Sequence, residues 1–335
     1  MSDPANRLAP VVRLAPAKLN LTLAIIGRRP DGFHALHSIM APLALADGLS
    51  LAAAAGPLDT LHVSGPGLDR LALGPTADNL VLRAIDAARR AVGGARPTPA
   101  LAARLEKRIP IAAGLAGGSS DAAAAFDGAL EAWNAGGDAV LSAEERQRAA
   151  ARLGSDVPFF LAAGVALVEG RGERVTALPG AIRGEPAGIL LIVPRIRLAT
   201  PAVFAAYVAS GAAINGATRL TSDHLAGELQ RGLSARTLHD RAGILASAND
   251  LLPASTSLEP ALVPFRRALA RLAGRPIGLS GSGPALWVLY PSLADAQSAE
   301  LVVRAAIDAG TLLAPGDGPP FIAATTIVSP PSADA

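Results

Sequence analysis

The sequence predicts an α+β protein of one large or two medium domains. Three observations carry that expectation. Strand-like and helix-like segments are mixed without strict βα alternation. A chain of 335 residues exceeds a single small core. Half the residues are apolar and only 17% are charged, which is a globular composition. The same composition excludes several classes. No apolar run reaches the ~18 residues of a membrane span. The start, "MSDPANRLAP", lacks a basic-then-apolar export pattern, so a cytoplasmic location is expected. Cysteine is absent, which removes disulfides, thiolate catalysis and Cys-ligated metal. A net charge of +2 with scattered basic residues argues against a nucleic-acid-binding face.

The elements follow in order. "VVRLAPAKLNLTLAIIG" reads as two β-rich runs around Pro16, and "GRRPDGFHAL" as a turn-rich loop. "LHVSG" fits a strand. "TADNLVLRAIDAARRAVGG" fits a helix with Leu80, Ala84, Ala87 and Ala88 on one face and Gly93 near its end. "PALAARLEKRIP" runs as a strand up to a glycine loop. "SSDAAAAFDGALEAWNAGG" is then a helix capped by Ser119, Ser120 and Asp121, with Phe126, Leu130 and Trp133 on one face and Gly136–Gly137 ending it. "LSAEERQRAAARLG" has Ser142 and Glu145 at capping-box spacing and Gly154 at its end. "VPFFLAAG" suits a short helix and "VALVEGRGERV" a strand or hairpin. Residues 178–188 look like a linker, and "ILLIVP" is a buried strand. Residues 201–245 are helical and loop-rich. "EPALVPFRRALARLAG" is an amphipathic helix, "GLSGSGPALWVLY" a turn entering an apolar strand, and "LADAQSAELVVRAAIDAG" a last helix.

Chemistry concentrates in a few places. In "IPIAAGLAGGSSDAAAAF", Gly114, Gly117 and Gly118 precede Ser119 and Ser120 at a helix start. Such a loop is either a flexible turn or a phosphate cradle, since helix N-termini carry unpaired N–H groups and partial positive charge. Neither GxxxxGK[ST] nor GxGxxG occurs here. Of the 30 basic residues only Lys18 and Lys107 are lysines. Where arginine serves for ordinary surface charge, a retained lysine points to a need for a compact ammonium. Lys107, in "RLEKRIP", stands among other charges, the setting of a solvated surface side chain. Lys18 stands just before an apolar strand. Asp156, in "LGSDVPFF", is either a helix N-cap or a general base for a substrate hydroxyl; Lys18 would suit such a base by stabilising developing negative charge. Phe33 and Phe204 are either satellite core or platforms for a nucleobase. "GLSGSGPALW" is a second glycine turn, weak by itself. The histidines show no metal-ligand pairing beyond His34 and His37, three apart.

Taken in order, "PAKLNLTLAIIGRRPDGFHAL", "IPIAAGLAGGSSDAAAA", "LGSDVPFFLAAGVALVEGRGE", "ANDLL" and "GLSGSGPALW" resemble the GHMP small-molecule kinase family, from about residue 14 to about residue 290. The resemblance implies a two-domain α+β fold: a ribosomal-protein-S5-like, ATP-binding part over residues 1–175 and a ferredoxin-like, substrate-side part over 176–335. It implies transfer of the ATP γ-phosphoryl, with Mg²⁺, to a hydroxyl of a cytidine diphosphate ester in isoprenoid precursor synthesis. The expected partners are these small molecules alone, with neither nucleic acid nor membrane, and the expected assembly is a monomer or weak homodimer. Lys18 and Asp156 match the family's catalytic pair. Pro110, Gly114, Leu115, Ala116, Gly117, Gly118, Ser119 and Ser120 match its ATP-phosphate loop, with Ser119 or Ser120 as the metal contact. Asn20, His34 and Thr200 match polar groups near the substrate, and Phe33 and Phe204 the positions flanking its base. Many relatives carry Tyr at 33, and some carry glycine at 112, 113 and 116, where this chain has alanine. The rival readings are a kinase of the same family acting on homoserine, mevalonate or a sugar, and a non-catalytic nucleotide-binding module.

Overall fold

The computed structural model describes residues 9–66, 78–94, 97–134, 141–162, 164–212, 214 and 216–329. Strands β1 (Val11–Asn20), β2 (Ala24–Arg28), β3 (His34–Ala53) and β4 (Thr60–Ser64) come first. They are followed by α1 (Leu80–Val92), β5 (Leu101–Glu106), α2 (Gly117–Ala132), α3 (Ala143–Leu153) and α4 (Val157–Leu161). Next are β6 (Ala166–Gly170), β7 (Arg174–Ala177), β8 (Ile182–Arg183), β9 (Gly188–Val193), α5 (Thr200–Ala209), α6 (Gly216–Arg231) and β10 (Leu233–Ser234). The chain ends with α7 (Ala235–Asp240), α8 (Ala242–Ser247), α9 (Leu252–Leu258), α10 (Leu262–Ala273), β11 (Gly278–Leu279), β12 (Leu286–Tyr290), α11 (Leu293–Asp308) and β13 (Phe321–Thr326). The α+β expectation holds. No helix among the described residues is long and apolar enough to cross a membrane.

The chain forms two compact units: Met1–Ala17, Leu45–Ile111 and Ala116–Leu161; and Lys18–Ala44, Ala112–Leu115 and Ala162–Ala335. In the first unit, Gly48–Ala53 of β3 pairs antiparallel with β5, and β4 pairs parallel with β5. One core lies between these strands and α1–α4, with Phe126, Trp133, Leu49, Leu51 and Ile85 as its bulk. The alanine run of α2 is buried on nearly every side, so small side chains let neighbouring elements close on this central helix. Helix α1 starts with Asn79 accepting the Val81 N–H and ends on left-handed Gly93. It buries Val81, Ala84, Ile85, Ala88 and Val92; Leu80 and Ala87 are only half-buried, so the apolar stripe is rotated from the face read in the sequence. The capping box of α3 forms as expected.

In the second unit, β9 is the centre of an antiparallel sheet of order β11-β12-β9-β13, and all six of its residues are buried. Phe265 and Leu269 of α10 and Ala296 and Val303 of α11 pack on it. A second cluster joins Leu23 and Ile25 to Leu198, Val203, Tyr207 and Leu251.

Several expectations need correction. Pro16 lies inside β1, and the break between the first two strands falls after Asn20. The stretch read as a linker is anchored: Leu178, Ala181 and Ala187 are buried, and Ile182 pairs with Leu233. Helix α2 starts at Gly117 with Ala116 as its cap residue, so Ser119, Ser120 and Asp121 sit inside its first turns rather than capping it. Gly136–Gly137 lie outside the described residues; the helix has already ended at Ala132.

Candidate active site

The glycine loop is built by backbone conformation. Ala112, Gly114 and Ala116 all adopt left-handed φ, at 55°, 79° and 53°. Left-handed residues alternating with others turn successive N–H groups toward one side, the arrangement that cradles anions. Two of the three carry a Cβ, and each of those costs about 1 kcal/mol in backbone strain. Strain held at such a point marks a functional constraint. At Gly114 a Cβ would stand 2.6 Å from the Ser280 carbonyl oxygen, so glycine is obligatory. At Gly117 it would stand 3.1 Å from Ile109 Cγ2 and 3.3 Å from Lys107 Nζ. Gly118 is exposed, with only Leu80 Cδ1 at 3.8 Å, so no packing within the protein requires glycine there. The Ser119 and Ser120 N–H groups both donate to the Ala116 carbonyl, at 3.1 and 3.0 Å. That leaves the N–H groups of Gly117 and Gly118 with no carbonyl one turn behind them. Ser119 is half-buried, whereas Ser120 is buried and its hydroxyl has no partner.

Lys107 overturns its surface reading: it is 5% exposed. Its ammonium donates to Asp121 Oδ2 at 2.7 Å and to Asp47 Oδ2. Asp47 also accepts the backbone N–H groups of Arg108 and Ile109, at 2.5 and 2.8 Å, through its other oxygen. Asp121 Oδ1 is buried without a partner. Burial pushes the Asp121 carboxyl up to about 7; the attraction of Lys107 opposes that and the charge of Asp47 reinforces it. Burial also works to lower the Lys107 ammonium, but the two carboxylates outweigh it and hold it above its usual range.

Lys18 lies near the end of β1 and is 4% exposed. Its ammonium donates to Asn20 Oδ1 at 2.7 Å, and its N–H donates to the Leu115 carbonyl at 3.0 Å. Asn20 donates its amide to Ser38 Oγ at 2.8 Å and its backbone N–H to Ser280 Oγ at 3.3 Å. Ser280 Oγ donates in turn to the Gly114 carbonyl at 3.1 Å, and Ala285 N–H to that of Ala113 at 2.9 Å. A Cβ on Gly281 would lie 3.6 Å from Lys18 Nζ. The second glycine turn is therefore a buttress for Lys18 and the first loop. Asn249, whose amide donates to the Leu279 and Gly281 carbonyls at 2.9 Å each, holds that turn in place. Sequence reasoning gave Asn249, Ser280 and Gly281 no individual role; the segments "ANDLL" and "GLSGSGP" were their only signal. Asp156 lies in the other unit, half-buried, immediately before α4.

Phe33 is 50% exposed at the tip of the turn into β3, with the Arg171 guanidinium 5.4 Å from its ring centroid, so it is no core residue. Arg29 shapes this turn through its N–H to the Phe33 carbonyl and its ion pairs with Asp31 and Glu173. His34 stacks on Phe204, with centroids 5.0 Å apart and planes at 23°. Burial, and then the charge of Arg28, lower the His34 pKa, which keeps the ring neutral near pH 7. Phe204 packs on the second cluster of its unit and so joins core to surface. Thr200 is exposed at the start of α5, with its hydroxyl 3.0 Å from Ser282 Oγ. His37 has other partners than His34, namely Ser222 and Asp223. Among the described residues no three His, Asp or Glu side chains gather as a metal site.

The GHMP kinases N terminal domain family matches residues 79–164. A 4-diphosphocytidyl-2-C-methyl-D-erythritol kinase of Pelotomaculum thermopropionicum is 35% identical over 287 residues, 86% of this chain and 91% of the relative. One from Paramagnetospirillum magneticum is 35% identical over 295 residues, 87% and 93% of the two chains. A crystal structure of 4-(cytidine 5'-diphospho)-2C-methyl-D-erythritol kinase superposes with TM-score 0.64 at 29% identity, covering 94% of this chain and 99% of that one. Homoserine kinase from Cytophaga hutchinsonii superposes with TM-score 0.66 over 95% of both chains, at only 17% identity. At 17% identity this likeness shows the shared fold alone. By these relatives the chain belongs to the GHMP kinase family, in the branch of the 4-diphosphocytidyl-2-C-methyl-D-erythritol kinases.

Proposed function

We propose that the protein transfers the γ-phosphoryl group of ATP to the 2-hydroxyl of 4-diphosphocytidyl-2-C-methyl-D-erythritol, in the non-mevalonate route to isoprenoid precursors. The observation that carries the reading is the loop in which Ala112, Gly114 and Ala116 are left-handed and the Gly117 and Gly118 N–H groups stand ahead of the first helical bond. Phosphoryl transfer asks mainly for positioning and charge neutralisation. In this reading the loop N–H groups hold the ATP phosphates. Asp156 takes the proton of the 2-hydroxyl, whose oxygen attacks the γ-phosphorus as the bond to the β–γ bridging oxygen breaks and ADP leaves with that electron pair. Lys18, oriented by Asn20, offsets negative charge at the reacting oxygens. Mg²⁺ usually takes one or two protein oxygens and completes its shell with phosphates and waters. The donor set fits that pattern: a half-buried Ser119 hydroxyl at the loop, with no carboxylate cage among the described residues, and Ser119 is the better-exposed of the two serines. When bound, Mg²⁺ would neutralise phosphate oxygens.

The exposed Phe33 and the stacked pair His34–Phe204 suit a substrate with a nucleobase. A homoserine or mevalonate substrate gives such rings nothing to stack on. The test is ATP consumption with the diphosphocytidyl ester, homoserine, mevalonate and a hexose in turn. Turnover only with the first supports the reading; equal or better turnover with another acceptor overturns it.

A further inference from the structure

The family resemblance gives Lys107 no role, yet it is one of only two lysines and is buried. Three separate segments of the first unit converge on it. Asp47 comes from β3, Lys107 from the end of β5, and Asp121 from the second turn of α2. Asp47 does more than pair with the ammonium, because it also fixes the Arg108 and Ile109 N–H groups, the last two before the glycine loop begins at Pro110. At the far end, the ammonium holds Asp121 and lies beneath Gly117, close enough that a Cβ there would touch it at 3.3 Å.

We propose that Lys107, together with Asp47 and Asp121, is a positioning element that clamps both ends of the phosphate loop. The inference rests on the reading that this loop holds the ATP phosphates. The cluster does not serve by attracting phosphate, since two carboxylates stand against one ammonium. Its effect is geometric: entry and exit are tied to one buried point, so the strained left-handed residues between them cannot relax before the nucleotide arrives. A loop held in its bound conformation does not lose that freedom on binding. Lysine suits the post because a compact ammonium donates in three directions from one atom, whereas a planar guanidinium does not fit between two carboxylates and a helix turn. The Gly117 position has no room for a larger head group.

The test compares Asp121→Ala with Asp121→Asn in the full chain, using steady-state kinetics in Mg²⁺–ATP and in the acceptor, with thermal melting alongside. Losing the exit tie should raise KM for ATP roughly 10–100-fold, the scale of a loop misplaced by about an ångström. KM for the acceptor and kcat at saturating ATP should move far less. Asp121→Asn keeps an acceptor for the ammonium and should recover most of the loss. A merely structural cluster lowers Tm without that ATP-specific split. Should Asp121→Ala not fold, Lys107→Met/Asp121→Asn replaces it, since that pair leaves the buried net charge at −1. A folded clamp-less variant with wild-type KM for ATP overturns the proposal. A wild-type chain with no ATP turnover overturns instead the functional reading beneath it.

Discussion

The two glycine-rich segments, residues 110–120 and 278–285, have similar composition but send their backbone polar groups to different places. Both place residues in the left-handed region: 112, 114 and 116 in the first, 281 and 283 in the second. In the second, the polar groups turn inward. Ser280 and Ala285 bond across the turn, Gly283 donates to Ser280, and Asn249 and Ser255 satisfy the carbonyls of Leu279, Gly281 and Ser282. In the first, the Gly117 and Gly118 N–H groups stand ahead of the first helical bond. A glycine-rich sequence thus says that the backbone comes close to something; the destination of its N–H and C=O groups says whether that is protein or ligand. Lys18 lies where the two segments meet, bonded to Leu115 of one and packed near Gly281 of the other.

This contrast can be broken at several points. Lys18→Ala and Asp156→Asn carry the largest expected effect, a fall in kcat of roughly 10²–10⁴ with the melting temperature nearly kept. If either change merely melts the protein, the first segment and its partners are scaffold like the second. Asn249→Ala strikes the inward-turned segment. It frees two buried carbonyls and should cost about 2–3 kcal/mol of stability in denaturant titration. Gly118→Ala probes the open face: its Cβ meets no protein atom closer than 3.8 Å, so stability should hold while KM for ATP rises roughly tenfold, a fraction of the cost of a misplaced ligand. A stability loss there, with KM unchanged, would show that Gly118 also faces the protein.

A pH dependence is also expected beneath the first segment. The Asp121 carboxyl is raised from 3.8 to about 7 in the folded protein. Between those values the folded state binds the extra proton, so its contribution to stability is full below about pH 4 and lost as pH rises through about 7. Asp121→Asn should flatten that part of a stability–pH profile measured by chemical denaturation. An unchanged slope would mean that the proton resides elsewhere.

Much of this was legible because it is local. The glycine that ends α1, the capping box of α3 and the glycine loop are each written within a few residues. Lys107 was not legible, for a reason of strand parity. Its sequence neighbours Glu106 and Arg108 are half-exposed and pair with each other, while Lys107 faces the opposite side, toward an aspartate 60 positions upstream. The run of charges in "RLEKRIP" therefore describes one face only. Strand β3 escaped notice because residues 37–43 are all buried, which erases the alternation that marks a half-exposed strand. The serines of α2 carried a strong capping signal, yet the left-handed turn at Ala116 starts the helix earlier and leaves their N–H groups bonded to that residue. Asn20 was singled out only through the family resemblance, and the structure adds a bond to Lys18 that spacing alone does not reveal.

The most direct test of the account is phosphorus NMR of the purified chain with Mg²⁺–ATP and 4-diphosphocytidyl-2-C-methyl-D-erythritol. ADP and a new phosphomonoester resonance should appear in equal amounts, with neither seen when homoserine or mevalonate replaces the ester. ADP without the monoester, or a monoester formed as readily on homoserine or mevalonate, would contradict it.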